Sequence, residues 1–191
     1  MEKQENIFKL GIILLIITAC AGLILGIVHE VTADPIKQQE KLNNENAMKE
    51  ILSKADSFKV KKMKLSQNVL EVNEAAKGTN IIGYAIKMQT KGYGGQIQLM
   101  VGISSDGNLS GIKIITQTET PGLGANSTKP SFYGQYKNKP IKEDLAVVKA
   151  SPAKDNEIQA ISGATITSKA VTSGVNEAIK FYKENLEGGN K

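Results

Sequence analysis

QIQLMVGISSDGNLSGIKIIT, Gln96 to Thr116, sets an apolar run on each side of Ser105-Asp106-Gly107-Asn108. An Asp-Gly pair between two such runs signals a hairpin, because tight two-residue turns need left-handed backbone that Gly and Asp tolerate. Gln96 to Ser104 and Leu109 to Thr116 therefore read as antiparallel strands. The glycine-rich turn KGYGG, Lys91 to Gly95, joins them to an earlier strand at Asn80 to Gln89. Hairpins argue against a nucleotide-binding Rossmann unit, whose parallel strands need crossover helices, and no GxGxxG links a strand to a helix. Shorter β-like runs lie at Val60 to Lys64, Val69 to Val72, Leu145 to Lys149 and Glu157 to Ile161. From Thr167 onward, Val171, Val175, Ala178, Ile179 and Leu186 recur at helical spacing and predict a closing helix. Between strands and helix runs an irregular segment, Thr118 to Pro140, longer than loops usually are unless they have a function.

Upstream, LGIILLIITACAGLILGIV, Leu10 to Val28, carries no charge and is close to the ~20 apolar residues that cross a bilayer. Lys3 and Lys9 precede it while Glu30 and Asp34 follow, so the positive-inside bias expects a cytoplasmic N-terminus and an extracytoplasmic remainder. A lipoprotein box ending at Cys20 and a signal-peptidase site at Ala33 are the rival readings. The apolar run exceeds the ~7 to 15 residues of a signal-peptide core and continues past Cys20, which favours a retained single-pass anchor. Pro35 opens a polar segment with an imperfect apolar stripe at Ile36, Leu42, Ala47, Ile51 and Leu52, a stalk or docking helix. The expected fold class is α+β: a transmembrane helix, then an antiparallel-sheet domain with flanking helices. The expected divisions are 1–9 cytoplasmic, 10–28 membrane, 29–58 stalk, 59–187 domain and 188–191 disordered tail.

All 24 basic residues are lysine and the formal net charge is +5. Arginine is the usual reader of phosphates and base edges, so its absence argues against sequence-specific nucleic-acid binding. One cysteine, Cys20, and one histidine, His29, exclude an intramolecular disulfide, a cysteine knuckle, a zinc hydrolase site and Ser/His/Asp or Cys/His catalysis. No catalytic residue and no metal ligand is expected.

Chemistry concentrates at Ser162-Gly163-Ala164-Thr165-Ile166-Thr167-Ser168, between a strand and the closing helix. Hydroxyls and free backbone N–H groups converging on a helix N-terminus suit a phosphate. Capping by Thr167 or Ser168 accounts for the same residues without a ligand, since Ser and Thr are preferred N-caps. At the loop Glu119-Thr120-Pro121-Gly122-Leu123-Gly124, a turn with Pro at i+1 and Gly at i+2 is the plain reading. Phe132, Tyr133 and Tyr136 form a small aromatic cluster that is at least as often core packing, and receive no site role.

SGATITS and ETPGLG together, in this order behind one anchor, resemble the FMN-binding domain family, and the resemblance covers nearly the whole chain. It implies that Thr165, which closes S/T-G-A-T, is esterified to the phosphate of a covalent FMN. It also implies that Ser162, Gly163, Ala164, Thr167 and Ser168 surround the attachment, and that Glu119, Thr120, Gly122 and Leu123 lie against the flavin. An unactivated threonine with no histidine near it cannot modify itself. The family implies a separate flavin transferase that uses FAD and magnesium. Where the family commonly has an acid three positions before the motif serine, this chain has Gln159. Within the family the chain is most similar to G subunits of Rnf complexes. That implies an electron-transfer subunit among other membrane subunits of an ion-translocating ferredoxin:NAD oxidoreductase, without turnover of its own. The C subunit of the sodium-pumping NADH:quinone reductase, usually longer, and an anchored flavoprotein of another extracellular chain are the alternatives within flavin chemistry. A chromophore-free membrane-anchored binding module is the alternative outside it.

Overall fold

The structure, a computed structural model, describes residues 7–188. Most of the expected cytoplasmic segment, Lys3 included, and the tail beyond Gly188 lie outside the described residues. The chain divides into two compact units after Asn43.

The described residues of the first unit, 7–43, are helical, and the last turns of the same helix, from Asn44, belong to the second unit. Helix α1, Ile7–Ile51, is among the described residues the one helix long and apolar enough to cross a membrane, with a mean hydropathy of 2.8 over its most apolar window. Its apolar side chains from Leu10 to Val28 are exposed, as a lipid-facing helix requires. Pro35 does not open a separate segment. It lies inside α1, where loss of its N–H and the clash of its ring cost about 3 kcal/mol. The Gln, Glu, Lys, Ala and Met that follow are good helix formers, and the helix runs on to Ile51.

The second unit is built on a five-stranded sheet, β1 Ser57–Val60, β2 Val69–Lys77, β3 Asn80–Lys91, β4 Gln96–Ser104 and β5 Leu109–Thr116, paired in chain order and antiparallel throughout. The β4–β5 hairpin pairs Val101 with Ile112 across the expected turn, where Gly107 has φ +78. The first strand, expected at Val60 to Lys64, ends at Val60 instead. The lysines of Lys61-Lys62-Met63-Lys64 offer no alternating apolar face to hold a strand.

Alternation along the central strands divides two cores between the faces of the sheet. Ile86, Met88, Leu99, Val101 and Ile103 pack with Val171, Val175 and Ile179 of helix α3, Thr165–Asn185. Ala75, Ala85 and Met100 meet Ala47, Met48, Ile51 and Leu52 on the other face. That second face is paved with small residues for a reason: a Cβ at Gly83 would lie 3.2 Å from Leu52 Cδ2, and one at Gly102 would lie 3.1 Å from Ile51 Cγ1.

Strands β6, Ala146–Val148, and β7, Glu157–Gln159, form a separate two-stranded parallel sheet, shorter than the runs expected at 145–149 and 157–161. The irregular segment contains two single 3-10 turns, Gly124–Thr128 and Gly134–Tyr136, around a one-turn helix α2, Pro130–Tyr133. Phe132 and Tyr136 meet edge-on inside the core, with ring centroids 5.7 Å apart. The Tyr136 hydroxyl shares a 2.7 Å hydrogen bond with Thr172 Oγ1, and burial pushes its phenol up in pKa against that bond.

Candidate functional site

The motif begins as a turn. Ala164 N–H donates to the Ile161 carbonyl at 2.9 Å, and Gly163 takes φ +74, a conformation open to glycine and costly for other residues. Ser168 braces the turn from within: its Oγ accepts from Ile161 N–H at 2.9 Å and donates to the Ala164 carbonyl at 3.0 Å. The helix starts at Thr165, two residues before the expected start, and Thr167 and Ser168 are internal residues of its first turn. Neither caps it. The N-cap is Ala164, which makes no side-chain cap bond. The hydroxyls that sequence offered as caps are spent inside the fold, and the N–H groups of Thr165, Ile166 and Thr167 find no acceptor among the described residues.

Glu119 holds the rest of the site together. The residue is 6% exposed, and its Oε2 accepts from the Thr167 hydroxyl at 2.6 Å while Oε1 accepts from Gly94 N–H at 2.9 Å. One side chain thus ties together the ETPGLG loop, the glycine-rich turn before β4 and the first turn of α3. Glycines make room for it. A Cβ at Gly92 would collide with Oε1, and one at Gly124 would collide with Oε2 and lie 2.6 Å from Thr167 Oγ1. The carboxylate also sits at the positive end of α3, where a negative charge is favoured.

These segments enclose a cavity of about 450 Å³. Of the residues expected at the site, Gly163, Ala164, Thr165, Thr167, Glu119, Thr120 and Leu123 line it. Gly122 does not, since it makes the turn at φ +79, and Ser168 does not, since it braces the turn. Ser162 faces a different hollow of about 310 Å³, with Gln159, Ala160 and Ile161 on one wall and Lys129, Phe132 and Gln135 on the other. Sequence reasoning missed Tyr93, Gly124 and Ile166, which also line the larger cavity. A bulky aromatic alone among the glycines of KGYGG was the signal available for Tyr93.

The residues fit FMN. A cavity of about 450 Å³ lies within the usual range for cofactor sites, roughly 300 to 1,000 Å³. It has apolar walls in Leu123 and Ile166, and free N–H groups at a 21-residue helix suit the phosphate. A hydroxyl, that of Thr165, stands at this phosphate-favouring end.

Comparison with known proteins agrees with this geometry. The FMN-binding domain family matches residues 92–180, and the RnfG N-terminal region matches residues 1–51. The G subunit of the Na(+)-translocating ferredoxin:NAD(+) oxidoreductase complex of Acetobacterium woodii is 42% identical over 96% of this chain and 98% of that protein. The G subunit of the proton-translocating complex of Clostridium ljungdahlii is 39% identical over 94% and 93%. Among solved structures, the C subunit of the Na(+)-translocating NADH-quinone reductase of Parabacteroides distasonis superposes with TM-score 0.58 at 24% identity, covering 77% of this chain and 94% of that one. That likeness shows a shared fold. With relatives this similar over nearly its whole length, the chain belongs to the family of G subunits of Rnf-type ion-translocating oxidoreductase complexes and carries that family's FMN-binding domain.

Proposed function

We propose that this protein is the FMN-carrying electron-transfer subunit of a membrane ferredoxin:NAD oxidoreductase that moves ions, and that its FMN is esterified to Thr165. The relatives carry the first part, being named as subunits of complexes with that activity. One observation carries the second: Thr165 is the first residue of a helix that no side chain caps, and it opens on a cavity of cofactor size.

When bound, FMN supplies the redox chemistry, which no side chain here offers. The chain's own residues hold and shield. The first-turn N–H groups of α3 and the Thr165 oxygen would hold the phosphoryl group, and Leu123 and Ile166 would exclude water from the ring. Glu119, the one carboxylate lining the cavity, gives both its oxygens to Gly94 and Thr167, so it is not free to activate Thr165. A separate flavin transferase using FAD and magnesium fits that arrangement. A tethered flavin also suits a domain on the extracytoplasmic face, where lost FMN is not replaced, with α1 as the single-pass anchor and the N-terminus cytoplasmic. Other membrane subunits would supply the electron donor and acceptor.

The intact mass of the full chain, produced with and without a flavin transferase, tests this reading. A gain of one FMN less water, mapped to Thr165 and dependent on the transferase, is expected. An unmodified mass in the presence of an active transferase overturns the covalent assignment. Co-purification with no membrane partner overturns the assembly.

A further inference from the structure

Tyr93 is 73% exposed, yet it lines the same cavity as Thr165. Its position is fixed on both sides. Gly92 N–H donates to the Gly95 carbonyl at 2.8 Å, closing the turn, and Gly94 N–H donates to the buried Glu119 carboxylate. Side chains are barred from the rest of the turn: a Cβ at Gly92 would also lie 2.8 Å from Ile97 Cδ1, one at Gly94 would press on the Thr118 carbonyl, and one at Gly95 would collide with Thr118 Oγ1. Only position 93 is free to carry a large group, and it carries an aromatic ring. The other exposed apolar side chains on the cavity are Leu123, 45% exposed, and Ile166, 57% exposed. A single exposed tyrosine needs no explanation. A tyrosine fixed by a buried carboxylate, in one cavity with two further exposed apolar side chains, has the makings of a wall for a flat aromatic ligand. Aromatic rings favour offset stacking or edge contact with such a partner, while the phenol oxygen stays in water.

We infer that Tyr93 is the aromatic wall against which the isoalloxazine ring of the Thr165-linked flavin packs. This rests on the proposed flavin attachment and adds the residue that positions the ring. Contact has an optical consequence: a phenol touching a flavin passes an electron to the photoexcited ring and recovers it in the dark, which extinguishes emission and leaves both groups unchanged. Phenylalanine keeps the shape and is too hard to oxidise to do this.

The test uses the full chain in detergent, produced with a flavin transferase, with covalent FMN quantified by mass and emission measured per bound flavin. Wild type is expected to be dim when native and to brighten severalfold on denaturation. Tyr93→Leu and Tyr93→Phe should both be severalfold brighter than wild type in the native state, and Tyr93→Trp at least as dim. Because Tyr93 is exposed, none of these variants removes core packing. Tyr93→Leu with full covalent FMN and wild-type emission would overturn the wall while leaving the attachment at Thr165 intact. No FMN on the wild-type chain would overturn the flavin reading, and the wall with it.

Discussion

Two hollows flank the motif, and they are built by different means. The one lined by Thr165 is organised around a buried carboxylate whose partners are fixed, and of the hydroxyls in the motif itself those of Thr167 and Ser168 are engaged and that of Ser162 faces the other hollow, which leaves Thr165. The one lined by Ser162 is organised around Gln135, whose side-chain amide accepts from Gln159 N–H at 2.7 Å and donates to the Gln159 carbonyl at 3.2 Å. There the backbone is satisfied while the Gln159 and Ser162 side chains remain exposed to water. The contrast teaches a division of labour along seven residues, Gln159 to Thr165. Downstream the fold leaves a hydroxyl and free N–H groups open on a cavity, and upstream it holds the backbone still and leaves the side chains exposed.

Thr165→Val attacks the downstream side and has the largest expected effect. It keeps β-branching and volume but removes the acceptor oxygen, so covalent FMN should fall to zero, read as loss of in-gel fluorescence and of the mass increment. Thr165 makes no hydrogen bond that the fold depends on, so the melting temperature of the unmodified chain should move little. Ser162→Ala is the matched upstream control and should retain flavin. FMN found on Thr167 in the Thr165→Val chain would relocate the acceptor.

Glu119 sharpens the comparison on stability. Glu119→Ala leaves the Gly94 N–H and the Thr167 hydroxyl without their partner and opens a void, an expected loss of about 2 to 3 kcal/mol. Glu119→Gln keeps both contacts, because its oxygen accepts from Gly94 and its NH₂ donates to a Thr167 hydroxyl that now accepts. Its expected cost is within about 1 kcal/mol. Denaturant titrations of the two variants decide the point. Equal losses would mean that the charge at the α3 N-terminus matters and the two hydrogen bonds do not.

The sheet was largely legible in the sequence because its signals are local. Alternation and Asp106-Gly107 place β4 and β5 at their observed limits, Gln96–Ser104 and Leu109–Thr116. Local signals misplace the start of α3 for an equally physical reason. Ala164 is a poor cap by propensity, so Thr167 and Ser168 read as better starts, and only the tertiary partners at Glu119 and Ile161 show that their hydroxyls are taken. SGAT and ETPGLG were visible as motifs, but the link between them was not. Glu119 meets Gly94 and Thr167 across 25 and 48 residues of sequence, and no periodicity reports contacts of that separation. Tyr93 was hidden likewise, since a glycine-rich turn explains itself until its glycines are seen to be crowded by Glu119 and Thr118.

Gln159→Asp is the smallest intervention and tests the upstream side alone. The side chain at 159 is exposed and lines the smaller hollow, while Gln135 holds only its backbone, so an acid there disturbs no packing. Stability should stay within about 0.5 kcal/mol of wild type, as for surface changes that touch no cap or core. The acid would restore the residue type common in the FMN-binding domain family three positions before the motif serine, where a transferase reading this surface would meet it. The effect should then be kinetic. Under limiting transferase, flavinylation of Gln159→Asp should run a few times faster than wild type, and both should reach the same final FMN content on Thr165. A change in final content with no change in rate would move the acid's influence into the Thr165 cavity and dissolve the division of labour. An unchanged rate would mean that the exposed side chain is not what the transferase reads, leaving the Gln135-held backbone and Ser162 as what this face presents.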